Sequence, residues 1–319
     1  MSTVQTVRGP VEAASLGRTL MHEHVFILEP EALQNFGHVW GPSYWDEDAQ
    51  VGVAIEKLRA VKQAGFDTFV DPTAIGLGRN VERIARVNAE VDLNIVVATG
   101  VYAFLELPNF FRYRSPAEIA EFFVRELRDG IDGTGIRAGF IKCAIEEYGI
   151  VGDLPRIVEA TAIAAKETGA PVMVHTSALA KTGLLAIEAF GEHGVDLTRL
   201  NVAHAGDSND LDYLRELARS GAILGCDRFN IPHFNPDENR IETLLTLLEE
   251  GYASQIILSH DAASFLDFFT GDAKFANEEP DYLWISRHIL PRLLAEGVTQ
   301  EQIDTMLIDV PRRFLAGPA

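Results

Sequence analysis

The chain is 319 residues long and 47 % hydrophobic, enough to fill one large core or two ordinary ones. Its net charge of −20 excludes nucleic acid as a partner, because neutralising phosphates takes clustered Lys and Arg. Two cysteines, Cys143 and Cys226, both lie inside apolar runs and make no disulfide framework, and no apolar run approaches the ~20 residues that cross a membrane. Residues 1–8 lack the charged start and apolar run of a secretory leader, so the expectation is a cytoplasmic protein with no membrane partner.

Eight short apolar runs alternate with amphipathic stretches. In chain order the runs end on His24, Asp71, Thr99, Lys142, His175, His204, Asp227 and Asp261. Their mean spacing of about 34 residues suits a repeating strand–helix unit. Between them, helices are predicted over 48–64 before Gly65, 154–168 before Gly169, 208–220 before Gly221 and 237–250 before Gly251. Ser115-Pro116-Ala117-Glu118 reads as a capping box with Pro at the first helical position, opening a helix that runs to Gly130. A last amphipathic helix is expected over 299–315. Strands alternating with helices imply a parallel sheet, and eight such units fit a single (β/α)8 TIM barrel spanning 1–319. No G-x-G-x-x-G follows the first run, which disfavours a doubly wound dinucleotide fold. Segment 265–282, after the eighth run, is long, aromatic and irregular, as lids and binding loops are.

The ends of the runs carry the chemistry, because barrel active sites are built at the carboxyl ends of the strands. His22 and His24 are spaced so that both imidazoles share one face of an extended segment. With His175, His204 and Asp261 they make five nitrogen and oxygen ligands, more than one four-coordinate zinc takes. The surplus points to two metals, and a two-metal site needs a group between the ions. Lys142 stands where such a group would come from, yet a bare ammonium there would be repelled. The remaining histidines, His38, His193, His233, His260 and His288, read as ordinary surface or structural residues.

The order H-x-H, Lys, His, His, Asp on successive strand ends resembles the amidohydrolase superfamily. The strings His22-Glu23-His24, Gly139-Phe140-Ile141-Lys142, Val174-His175-Thr176, His204-Ala205-Gly206-Asp207 and Ser259-His260-Asp261 resemble its phosphotriesterase family, over roughly residues 15 to 316. That resemblance implies that CO2 carboxylates Lys142, making an anionic bridge between two divalent ions (Zn, Co, Mn or Fe). His22, His24 and Asp261 would hold the more buried ion, and His175 with His204 the more exposed one. One departure sharpens the substrate: Arg228 stands where phosphotriesterases proper carry His. Arg228 and Tyr102 are similar to the phosphotriesterase-like lactonases, which hydrolyse N-acyl homoserine lactones, a quorum-quenching activity, with weak action on organophosphates. A homodimer is also implied.

The expected chemistry is attack of a metal-activated hydroxide on the lactone carbonyl, with Tyr102 assisting the oxyanion and Asp261 shuttling the proton. Asp207 and Arg228 would orient Asp261, and Phe265 and Phe268 would line the acyl pocket. Two rivals stay open: a phosphotriesterase or another amidohydrolase acting on an ester or amide, and a non-catalytic barrel that keeps metal as a staple.

Overall fold

The structure, a computed structural model, describes residues 2–41, 44–103, 105–267 and 281–317. Phe268 and most of the aromatic segment after the eighth run lie outside the described residues. An antiparallel hairpin, β1 (Thr3–Thr6) and β2 (Gly9–Glu12), precedes the barrel. The barrel strands are β3 (Thr19–Leu20), continued after a break as β4 (His24–Ile27), then β5 (Thr68–Asp71), β6 (Asn94–Gly100), β7 (Phe140–Ile145), β8 (Val172–Thr176), β9 (Leu200–Ala203), β10 (Ile223–Cys226) and β11 (Ile256–Leu258). They pair in parallel in that order from β3 to β11. The ring is drawn together at its upper rim by β12 (Ala263–Leu266), which pairs in parallel with β4. Two backbone bonds complete the seam, His24 N–H to Ala262 O at 2.7 Å and Asp261 N–H to His22 O at 3.0 Å. The (β/α)8 reading therefore holds.

The strands read as continuous apolar runs because both their faces are covered. Val70, Val96, Ala98, Phe140, Met173, Ile223 and Ile257 form one cluster that fills the lower barrel with Leu16, Met21 and Phe314. The intervening residues, such as Ile141, Cys143, Val172 and Val174, pack outward against helices. A strand period of two then dictates what stands above the floor: Lys142 follows Phe140, and His175 follows Met173. The C-terminal helix and the hairpin β1–β2 border this floor, so the lower end is apolar and closed.

The predicted helices form at Glu47–Gln63, Pro116–Arg128, Leu154–Thr168, Leu211–Arg219 and Asp237–Glu249. Ser115 and Glu118 make the reciprocal capping box. Helices Pro30–Trp40, Val81–Ala89 and Thr182–Glu192 add to those read from sequence. The tail helix spans 300–316 and contains a wider turn at Thr305–Asp309, immediately before Val310 and Pro311, where proline offers no N–H for the regular ladder. No helix among the described residues is long and apolar enough to cross a membrane.

Candidate metal centre

At the upper rim His22, His24, Lys142, His175, His204 and Asp261 line one cavity of about 870 Å³. His22 lies between β3 and β4, His24 opens β4, and Lys142 lies inside β7 rather than at the strand end its run suggests. His175 is near the end of β8, His204 follows β9, and Asp261 lies between β11 and β12. Two of them are held in left-handed backbone, His204 at φ 66° and Asp261 at φ 54°. For residues other than glycine such conformations cost of order 1–3 kcal/mol and persist where neighbours over-determine them.

For Asp261 the determining neighbour is Glu23, whose side chain turns away from the cavity into the seam. Its Oε1 accepts from Ser259 Oγ at 2.8 Å, His260 N–H at 2.9 Å and His260 Nδ1 at 2.5 Å, and its Oε2 accepts from Ala262 N–H at 3.1 Å. Backbone on both sides of Asp261 is thus tied to one buried carboxylate. His260 is completed by Ile285 N–H donating to Nε2 at 3.0 Å, which fixes it as a structural histidine.

Hydrogen-bond partners also assign the imidazole tautomers. Asp227, wholly buried, accepts from His22 Nδ1 with Oδ2 and from His204 Nδ1 with Oδ1, both at 2.9 Å. Although burial works against its charge, these two donors hold Asp227 well below the usual carboxylate range. Gly225 makes room for it: a Cβ there would meet the Asp227 carboxylate. His24 Nδ1 donates to Thr73 Oγ1 at 2.8 Å, because that hydroxyl gives its own proton to Asp71 Oδ1 at 2.5 Å. His175 Nε2 faces Glu146 Oε1 at 3.4 Å. Burial lowers the pKa of His22 to about 4 and that of His175 and His204 below the ordinary value.

Neutral rings so oriented turn bare nitrogen lone pairs inward. His22 Nε2 and His24 Nε2 face Asp261 Oδ1 at 3.2 and 3.3 Å, and His204 Nε2 faces His175 Nδ1 at 2.9 Å. Lone pairs confronting a carboxylate and one another repel unless cations lie among them. Lys142 adds to the case: it is buried, burial lowers its pKa to about 8, and its Nζ meets His22 Nε2 at 3.4 Å with no carboxylate pairing it among the described residues. The donor set fits divalent metal, with His22, His24 and Asp261 forming one group of potential ligands within 4.8 Å.

The remaining expected residues are distributed unevenly. Arg228 lines the cavity and joins two carboxylates, Nε to Asp261 Oδ2 at 2.9 Å and an Nη to Asp207 Oδ2 at 3.0 Å. Arg240 holds the other oxygen of Asp207 at 2.5 Å. Asp207 therefore reaches Asp261 through Arg228, and the helix-capping role on that loop belongs to Asp210. Tyr102 also lines the cavity, but its hydroxyl donates to Glu146 Oε1. With its one proton given to Glu146, Tyr102 does not offer the oxyanion donor expected of it. Phe265 requires a correction too. Its ring sets edge-on against Trp45, centroids 4.9 Å apart, while Leu266, on the opposite face of β12, lines the cavity.

Asp227, Glu146, Glu23 and Thr73 join the site although the sequence pattern does not mark them as site residues. Glu146 had a signal: residues 142, 144 and 146 share one face of an extended strand. Asp227 ended a run like the ligands, but nothing local distinguishes a carboxylate that binds metal from one that orients its ligands.

A (β/α)8 barrel with such a rim is the scaffold of a metal-dependent hydrolase. Residues 2–315 match the Phosphotriesterase family, and the chain belongs to that family of binuclear metal hydrolases. It is 44 % identical over 98 % of both chains to a phosphotriesterase homology protein of Mycobacterium tuberculosis, and 34 % identical, over 96 % of this chain and 97 % of the other, to an aryldialkylphosphatase of Saccharolobus solfataricus. The solved structure of the phosphotriesterase from M. tuberculosis superposes with a TM-score of 0.93 at 43 % identity, covering 98 % of both chains.

Proposed function

We propose that this hydrolase is a lactonase, opening N-acyl homoserine lactones and related lactones, with weak hydrolysis of organophosphate triesters as a side activity. The observation that carries the reading is the shape of the cavity. Its floor is the ligand cluster, Tyr102 and Arg228 stand beside it, and Ile27, Leu77, Ile231, Phe234 and Leu266 supply apolar wall for an acyl chain. A metal-stapled, non-catalytic barrel would have no use for such a space, and structural metal sites are normally closed.

His22, His24 and Asp261 would hold one divalent ion and His175 with His204 the other, with carboxylated Lys142 between them; zinc, cobalt, manganese and iron all suit these donors. Bound there, the ions would supply a water of lowered pKa and a Lewis acid for the carbonyl. The chain's own residues do the rest. Asp261 takes the proton released as water adds to the lactone carbonyl, then returns it to the ring oxygen as the C–O bond breaks, leaving a hydroxy acid. Arg228, donating to Asp261 Oδ2 at 2.9 Å, keeps that carboxylate aimed and favours its charged form against the burial that opposes it.

The test is a pH-stat comparison of an N-acyl homoserine lactone with an aryl dialkyl phosphate, using protein reconstituted with each metal. The expected result is a kcat/KM for the lactone at least ~100-fold above that for the phosphotriester, a gap of about 2.7 kcal/mol in barrier. A phosphotriester preference, or no lactone turnover with any metal, would overturn the reading.

A further inference from the structure

Glu146 sets its carboxyl group in the wall of the cavity. It directly follows β7, four residues beyond Lys142. The Tyr102 hydroxyl donates to it and the His175 ring faces it at 3.4 Å. Both contacts, from Tyr102 and from His175, address a single oxygen, Oε1. No described residue donates to Oε2. A carboxylate oxygen that faces a cavity and has no protein donor can accept an N–H or O–H that a ligand brings.

The neighbouring charges sharpen what that ligand carries. The basic side chains of the cavity wall away from the floor are already engaged: Arg228 with Asp261 and Asp207, Lys181 with Asp210 at 2.6 Å. An anionic substituent beside Glu146 would meet like charge, and a purely apolar one would leave Oε2 bare. A neutral N–H meets neither objection.

We infer that Glu146 is a specificity-determining residue, its Oε2 accepting a hydrogen bond from an amide N–H on the carbon next to the scissile carbonyl. This rests on the lactonase reading and narrows it, to lactones bearing an acylamino group over plain lactones. Tyr102 acts here as a positioning residue: by donating to Oε1 it presents Oε2 to the cavity.

The test separates binding from turnover. The probes are an N-acyl homoserine lactam, in which the ring ester is replaced by a slowly reacting amide, and its analogue methylated on the exocyclic nitrogen. Calorimetric Kd values are measured for both on metal-loaded wild type and Glu146→Gln, with metal content determined for each sample. The expected result is at least ~10-fold tighter binding of the N–H probe by wild type, as for a hydrogen bond to a charged acceptor. In Glu146→Gln the side-chain carbonyl must serve the Tyr102 hydroxyl, which leaves an NH2 facing the cavity, so the ratio should fall to about one. Any steric penalty of the methyl group would persist in the variant, so only the part of the ratio that disappears belongs to Glu146. A wild-type ratio near one, or a ratio unchanged in Glu146→Gln at equal metal content, overturns the assignment. Failure of the lactonase reading would show elsewhere, as absent turnover of the lactone itself.

Discussion

The two sides of the centre are supported in different ways. On the closed side, His22 and His24 lean on Asp227 and Thr73, both buried, and Asp261 sits on a segment tied by Glu23. On the open side, His175 leans on Glu146, which itself lines the cavity and holds Tyr102. His204 belongs to both, facing His175 while donating to Asp227. The difference teaches that ligand support and substrate recognition are separate on the closed side and share residues on the open side. Changes to the first should read out in metal and stability, and changes to the second in substrate preference as well.

The largest effect should come from Lys142→Ala, which removes the group between the two sides. Metal content and activity should both collapse, with partial return when a short carboxylic acid is added; full activity without it would break the scheme. Asp261→Asn should follow, lowering kcat by about 10²–10⁴-fold with metal partly retained, as expected for loss of a proton-transfer group. A near-normal rate would remove its shuttle role. Asp227→Asn presents an NH2 where an imidazole N–H must be accepted, and should weaken metal affinity by about 10–100-fold, read by competition with a chelator. An effect confined to KM, with affinity for metal intact, would place Asp227 on the wrong side of the comparison. Glu23→Gln leaves one of four donors facing an NH2. It should cost roughly 1–3 kcal/mol of stability in denaturant unfolding while substrate preference stays unchanged.

Much of this was legible in the residues. Runs ending on His, Asp and Lys every few dozen residues located both barrel and rim, because a strand period of two carries the floor pattern upward into the ligands. The supports were less legible. Asp227 reaches two histidines from other strands only because Gly225 leaves space, and that cross-barrel approach has no local signature. Phe265 and Leu266 are adjacent and both apolar, so composition does not say which faces the cavity; the register of β12 on β4, Phe265 opposite Phe26, decides it. Tyr102 lines the cavity, but the direction of its hydroxyl depends on Glu146, brought alongside by the pairing of β6 with β7.

The central claim is that the rim holds two cations on unequal supports. Its most direct test is metal analysis during stepwise chelation of the reconstituted protein. Two ions per chain should be found at saturation, and they should leave in two steps, the more exposed one first, with activity lost in the first step. One ion per chain at saturation, or full activity after the first ion has left, would contradict it.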